Sequence, residues 1–423
     1  MKEEFLHYIW QYKKFKILQL KTTQHEPLEI ISGGMSNFHS GPDFFNGQLR
    51  IGGQLWAGNI EIHIKSSDWY LHNHEQDPAY DNVILHVVYV HDIEIFRKDN
   101  SVIPTLELRH YIDKDILKNY KALCSSKHKW INCEEHFAEV PKFSMSNWLE
   151  RLYFERLEEK AIIIENLLKQ SNNDWEAVLC KLLAKSFGSK VNGEALFQLV
   201  HSIDFSLIRK MQSSIFSLEA LFFGQAKLLD KVSNETYYCK LQKEYQFLKQ
   251  KFKLDHEGLI ALRFFRLRPP NFPTIRLSQL ANLYNKQPNL FSKLMEINSL
   301  KGFYELLEVT TSEFWNDHYT FDKTSKHSVK KVSKPFIDLL LINTILPLKF
   351  CYVRQHKIDA KHSILEVITT IASEKNTIIT GFNRLRPISV SAMQSQALIQ
   401  LKTEYCDKNK CLNCVVGNTL LSK

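Results

Sequence analysis

Hydrophobic and polar positions recur along the chain in two rhythms, and the change from one to the other divides it. Near the N-terminus Phe5, Ile9, Trp10, Phe15 and Leu18 follow helical spacing and predict a helix over 2–20, with Glu3 and Glu4 in the first turn, where negative charge suits the exposed amides. PLEIISGG at 27–34 reads as a short strand ending in a turn. Two strands are predicted near 43–52 and 54–65, joined at Gly52-Gly53, a pair suited to a tight hairpin. In the second strand Ile60, Ile62 and Ile64 alternate with Glu61, His63 and Lys65, so a period of two separates an apolar face from a polar one. SSDWYLHNHEQDPAY reads as a turn or short helix, NVILHVVYVHD at 82–92 as a buried strand, and VIPTLELR at 102–109 as another. This order predicts an N-terminal mixed-sheet domain, 1–135, with its first helix covering one face of the sheet.

From Ser144 onward the rhythm becomes helical. NWLERLYFERLEEKAIIIENLLKQ, DWEAVLCKLLAKSFG, FSLEALFFGQAKLLD and YYCKLQKEYQFLKQKFKL all follow the 3.6-residue period, and no fixed repeat relates them. They predict a large all-helical domain over 136–400, with 401–423 as a separate cysteine-bearing segment. Pro269, Pro270 and Pro273 interrupt the helices within RFFRLRPPNFPTIRLSQLANL at 263–283. Arg263, Arg266, Arg268 and Arg276 there could face phosphates, but a proline-stiffened joint with locally paired arginines is the preferred reading. KPFIDLLLINTILPLKFCYVRQH at 334–356 reads as a buried helix, because its apolar run before Pro347 is too short for a bilayer.

Composition sharpens this picture in two places. A chain of 423 residues exceeds what one hydrophobic core usually holds, so more than one domain is expected. A net charge of +9 is compatible with a polyanionic partner without requiring one. MKEEFLHYIWQYKKF lacks the basic-then-apolar order of a secretion signal, so a cytoplasmic protein without a membrane partner is expected. Of the cysteines, Cys406, Cys411 and Cys414 crowd together while Cys124, Cys133, Cys180, Cys239 and Cys351 are scattered, which suits reduced thiols better than a disulfide framework.

The chemistry concentrates around the hairpin. Asp43 and Glu61 could offer oxygens to Mg²⁺ or Mn²⁺, Lys65 could offset charge developing on a phosphoryl group, and His63 could ligate the ion or move a proton. The plainer alternative is a solvated strand face, with Asp43 starting a turn after Pro42. Against it stands the local density of metal-capable groups, since Asp68, His72, His74 and Asp77 follow closely. Those four read as lying around the site or toward a substrate, Asp68 also as a turn cap, and His86 and His91 as core histidines. At the other end Cys406, Cys411 and Cys414 form C-x4-C-x2-C, which points to Zn²⁺ first and an iron–sulfur cluster second. Packing thiols are the remaining alternative, and a fourth ligand would come from Cys351, Cys124, Cys133 or a histidine.

Two resemblances add to this reading. GPDF at 41–44, IEIHIKSSDW at 60–69, DPAYDNVILHVVYVHD at 77–92, RPPNFPTIRLSQLA at 268–281 and the terminal YCDKNKCLNCVVG resemble an uncharacterised bacterial family, domain of unknown function 2851, over nearly the full chain. The first domain also resembles the PD-(D/E)XK nuclease superfamily. That resemblance implies a restriction-endonuclease-like fold in which a helix precedes a mixed sheet, with one acid beside a Pro-Asp dipeptide and a second acid and a lysine two residues apart on the next strand. Pro42-Asp43 and Glu61 match the acids, whereas His63 stands at the lysine position and a lysine appears only at Lys65. Glu4 is the candidate for the acid that the superfamily often adds from the first helix. The resemblance implies a metal-dependent nuclease acting on nucleic acid, DNA before RNA. The alternatives are a non-catalytic nucleic-acid-binding or scaffold protein retaining that fold, and a hydrolase of a small phosphorylated substrate.

Overall fold

The computed structural model describes residues 1–37, 39–124, 129–359 and 361–421, so the last two positions of the predicted segment 401–423 lie outside the described residues. Helix α1 (Glu3–Gln11) is shorter than the predicted 2–20. Lys13 takes a left-handed φ of 49°, the chain reverses, and Phe15 comes back to stack on Trp10 with ring centroids 5.8 Å apart. Leu18 is consequently exposed, because the helical spacing there belongs to a turn.

The strands are β1 (Leu20–Lys21), β2 (Pro27–Ser32), β3 (Met35–Ser36), β4 (Phe44–Ile51), β5 (Gln54–Lys65), β6 (Val83–Val90) and β7 (Thr105–Glu107). They form one mixed sheet in the order β1-β2-β4-β5-β6-β7, with β3 paired to β4. β4 pairs antiparallel with both β2 and β5, while β6 lies parallel to β5 and β7 parallel to β6. The hairpin between β4 and β5 turns at Gly52 and Gly53, whose φ angles of 58° and 89° are accessible to glycine without cost from a Cβ.

Helix α1 packs against β5, and Phe5, Leu6, Ile9 and Trp10 join Ile60, Ile62, Leu85 and Val87 in the core. Burial of each of these large side chains contributes about 1.5–3 kcal/mol. Helix α2 (Asp68–Leu71) follows β5 and buries Trp69 in a smaller cluster with Tyr80, Val83, Ile95 and Ile103. Helix α3 (Lys114–Cys124) returns to the first helix, where Tyr120 stacks on Phe5 at 4.1 Å.

The chain separates into one compact unit of Met1–Trp148 with Leu401–Lys423 and another of Leu149–Gln400. The C-terminal segment is therefore part of the sheet-bearing unit rather than a separate appendage. The second unit is mainly helical, with the two-stranded hairpin His318–Thr320 and Lys323–Thr324. Helix Ile215–Gln225 is buried along nearly its whole length, including Glu219 and Gln225. In the proline-interrupted stretch Arg276 is buried, donates to Asn271 and Gln279, and lies 3.6 Å from the Phe336 ring centroid, which is the local pairing expected of a stiffened joint. Residues Lys334–Gln355 form one helix long and apolar enough to cross a membrane by composition, and 78% of its most apolar window is buried inside the protein.

Candidate metal centre

The site begins with a fault in the hairpin. Between Phe44↔Ile60 and Gly47↔Gly58 the register of β4 against β5 shifts by one residue, and Asn46 takes a φ of 57°. Bulges of this kind bend a strand and re-aim its side chains. Here the shift brings Asp43 opposite Glu61, and the two are tied reciprocally. The Asp43 amide donates to Glu61 Oε2 at 3.1 Å, and the Ile62 amide donates to Asp43 Oδ2 at 3.0 Å. Gly47 and Gly58 leave room for the fault, since a Cβ at Gly47 would stand 2.6 Å from Ile60 Cδ1 and one at Gly58 would stand 2.6 Å from the Asn82 carbonyl.

The predicted polar face of β5 is present but closed to water. Glu61 is 4% exposed and His63 1% exposed, although Ile60 and Ile62 are fully buried on the opposite side. After α2 the chain turns at Asn73, whose φ is 58°, and this carries His72 and His74 back over the strand. One ligand nitrogen each from His63, His72 and His74 then lies within 4.8 Å of the others. His63 Nε2 is 3.5 Å and His74 Nε2 3.3 Å from Glu61 Oε1, so oxygen and nitrogen lone pairs converge. The His74 ring is held by Tyr80, stacked on it at 3.8 Å.

His86, a core histidine by sequence, is fully buried on β6 beside this cluster. Its Nε2 lies 2.8 Å from His63 Nδ1, and His63 Nε2 lies 3.1 Å from His72 Nδ1. If His63 Nδ1–H donates to His86 Nε2, the His63 Nε2 lone pair is free for an ion. Outer partners of metal-ligating histidines fix the tautomer in this way. His7, one turn after Glu3 on α1, adds a ring nitrogen 3.2 Å from Asp43 Oδ2.

Burial and the crowding of like groups dominate the electrostatics of the site. Burial, and then the neighbouring Asp43 carboxylate, push the Glu61 carboxyl well above its ordinary range. Burial and then the adjoining His86 push the His63 imidazole down to about 2, and burial holds His86 at about 3. His7 moves the other way, because its hydrogen bond and charge interaction with Asp43 outweigh the cost of burial. Acids that retain protons and imidazoles that refuse them are what a divalent ion would relieve, and the carboxylate–imidazole donor set suits Mn²⁺, Zn²⁺ or Fe²⁺ better than Mg²⁺.

The other candidates from sequence have different surroundings. Lys65 is exposed near the end of β5, and its amide donates to the Asp68 side chain. Glu4 is exposed and acts electrostatically on Tyr120 and Cys124, whereas Glu3 is the acid of α1 that interacts with Asp43 and His7. Asp77 accepts from the Ala79 amide as a cap, so its role here is in the turn. Cys406, Cys411 and Cys414 line a cavity of their own. Sequence reasoning placed His72 and His74 around the site and missed Glu3, His7 and the supporting role of His86. For the histidines a signal was present in the two-residue spacing of His72 and His74 so soon after His63.

The family described as "Protein of unknown function (DUF2851)" matches residues 3–377, and the chain belongs to it. No curated protein and no solved structure matches the chain.

Proposed function

We propose that this member of the DUF2851 family is a metal-dependent phosphodiesterase that cuts nucleic acid, with its ion held by Asp43, Glu61 and the imidazoles of His63, His72 and His74. The observation that carries the reading is the buried Asp43–Glu61 pair beside three imidazole nitrogens lying within 4.8 Å of one another. When bound, such an ion supplies Lewis acidity toward a phosphoryl oxygen and lowers the pKa of a bound water. Asp43 and Glu61 orient one another through their amide contacts, and His86 holds the ring of His63. His7, whose proton affinity is raised beside Asp43, is the group suited to hold a proton close to the acids. The restriction-endonuclease-like reading is supported by α1 ahead of the sheet, by antiparallel β4 and β5 carrying the two acids, and by β6 parallel to β5.

A second reading has its own observation. Lys65 is exposed, and the position two residues after Glu61 holds a buried histidine, so no lysine occupies that place. A protein that binds nucleic acid through its net positive charge without cutting it would tolerate this arrangement.

Cleavage of single- and double-stranded DNA and RNA with Mg²⁺, Mn²⁺ or Zn²⁺ tests both. The expected result is cutting supported best by Mn²⁺ or Zn²⁺, and a loss of about a hundredfold or more in Asp43→Asn and Glu61→Gln with binding retained. Binding without cutting by the wild type would replace the enzyme with the second reading, and absence of both would remove nucleic acid from the account.

A further inference from the structure

Far apart in sequence from the strand acids, four cysteines line one cavity. Cys133, in the turn before Phe137, joins Cys406, Cys411 and Cys414, and Leu123, Asn132, Tyr405, Lys410 and Gly417 complete the wall. All four cysteines are free. The local chain is shaped to bring them together. Asn409 takes a left-handed φ of 53°, the Cys414 amide closes a turn on the Cys411 carbonyl at 3.2 Å, and the Asn132 side chain donates to Cys411 Sγ at 3.4 Å and to Asn409 Oδ1 at 3.2 Å. The Val416 and Gly417 amides reach the Cys414 thiol. Any side chain at Gly417 would meet the Cys411 carbonyl at 2.0 Å, so glycine is required where the C-terminal helix Val415–Leu421 crosses the cysteine turn. Two other thiols that could offer a ligand do not line the cavity. Cys351 is buried in the helical unit with the Ala161 carbonyl 3.9 Å away, and Cys124 is exposed and is not among the residues lining the cavity.

We infer that Cys133, Cys406, Cys411 and Cys414 ligate a thiolate-bound metal centre that fastens the C-terminal segment to the sheet-bearing unit. Four thiolates around one cavity select Zn²⁺ or iron–sulfur among common centres, because both favour sulfur. A single tetrahedral zinc and a cluster both take four thiolates, and metal and sulfide analysis tells them apart. The amide and Asn132 contacts to sulfur are the outer bonds that stabilise thiolate charge at such centres.

The experiment is anaerobic purification of the full chain followed by iron, labile-sulfide and zinc analysis and a visible spectrum, on wild type, Cys133→Ser and Cys124→Ser. The expected result is bound metal in the wild type and in C124S, either zinc alone or iron with sulfide in about equal amounts, with loss of it in C133S, whose C-x4-C-x2-C is intact. Should C133S fail to fold, alkylation of the wild type keeps the test open, because the four thiols should react only after the metal is stripped while Cys124 reacts at once. Zinc alone identifies a single ion and iron with sulfide a cluster, and either supports the site. Wild type that binds no metal and alkylates at all five cysteines at once would overturn the site. Neither result depends on whether nucleic acid is cut.

Discussion

Glu61 and Glu219 are both acids with almost no exposure, one on the sheet and one in the core of the helical unit, and their surroundings could hardly differ more. Glu219 is enclosed by hydroxyls. Tyr237 donates to one of its oxygens, Ser312 lies 3.0 and 3.1 Å from the two, and Ser278 adds a further hydrogen bond. Hydroxyls rotate to suit a carboxyl group whatever its protonation, so this acid is complete as it stands. Glu61 instead faces the Asp43 carboxylate and two imidazole nitrogens, and accepts a hydrogen bond from the Asp43 backbone amide. Groups that all offer lone pairs to one place need a proton or a cation between them. Burial alone therefore does not mark a functional acid; the kind of neighbour does.

The largest test of that difference is removal of each acid. Glu219→Ala leaves several buried hydroxyls without their acceptor and should cost about 3 kcal/mol or more in urea unfolding, with or without metal. Glu61→Gln, measured without metal, should leave stability unchanged or raise it, because the amide is neutral beside Asp43 without having to take up the proton that folded Glu61 keeps. Equal losses in the two variants would erase the distinction. A somewhat smaller effect is expected from metal itself. At a hundredfold excess over its dissociation constant Mn²⁺ or Zn²⁺ should stabilise the wild type by about 2.7 kcal/mol, and this gain should vanish in E61Q but persist in a glutamine at position 219, Glu219→Gln. Metal analysis on C133S, in which the thiol centre is disabled, separates the two sites.

The sheet side of this comparison was legible in the sequence, and its details were not. Alternation of isoleucines with Glu61 and His63 identifies a strand with two unlike faces, and Gly52-Gly53 marks the hairpin that sets the antiparallel pairing. What alternation cannot reveal is that the polar face is covered, which depends on α2 and the returning His72–His74 turn. The choice between Glu3 and Glu4 rests on the rotational phase of a helix of nine residues, and both fit the first-turn rule equally well. Cys133 meets the terminal cysteines only through the tertiary fold, so spacing in sequence carries no trace of it. Glu219 was hidden for the same reason: within the apolar run FSLEALFFG its partners come from other helices and loops.

The pH dependence sharpens the comparison further. Folded His63 and His86 refuse protons that their unfolded forms accept near the ordinary imidazole value of 6.5, so metal-free stability should fall as pH drops through and below it. Folded Glu61 keeps a proton that its unfolded form releases above its ordinary value of 4.5, so stability should also fall as pH rises beyond that range. Urea midpoints across pH should show both declines. E61Q should lose the alkaline one and keep the acid one. A wild-type profile in which metal leaves the alkaline decline intact would mean that the ion does not displace the Glu61 proton.

The smallest effect expected concerns His86, which touches the cluster only through His63. Its Nε2, 2.8 Å from His63 Nδ1, can accept the proton that leaves His63 Nε2 free to bind. His86→Leu removes that acceptor while keeping the position apolar and filled, and should weaken metal binding about tenfold, the lower end of what outer partners of metal-bound histidines contribute. His86→Gln offers an amide oxygen to the same proton and should recover most of the affinity. A role in packing alone predicts another pattern, in which both variants lose stability without metal and neither shifts affinity relative to the other. The ratio of the two dissociation constants, measured by calorimetry at a pH above the imidazole range, distinguishes a histidine that orients the site from one that only fills the sheet.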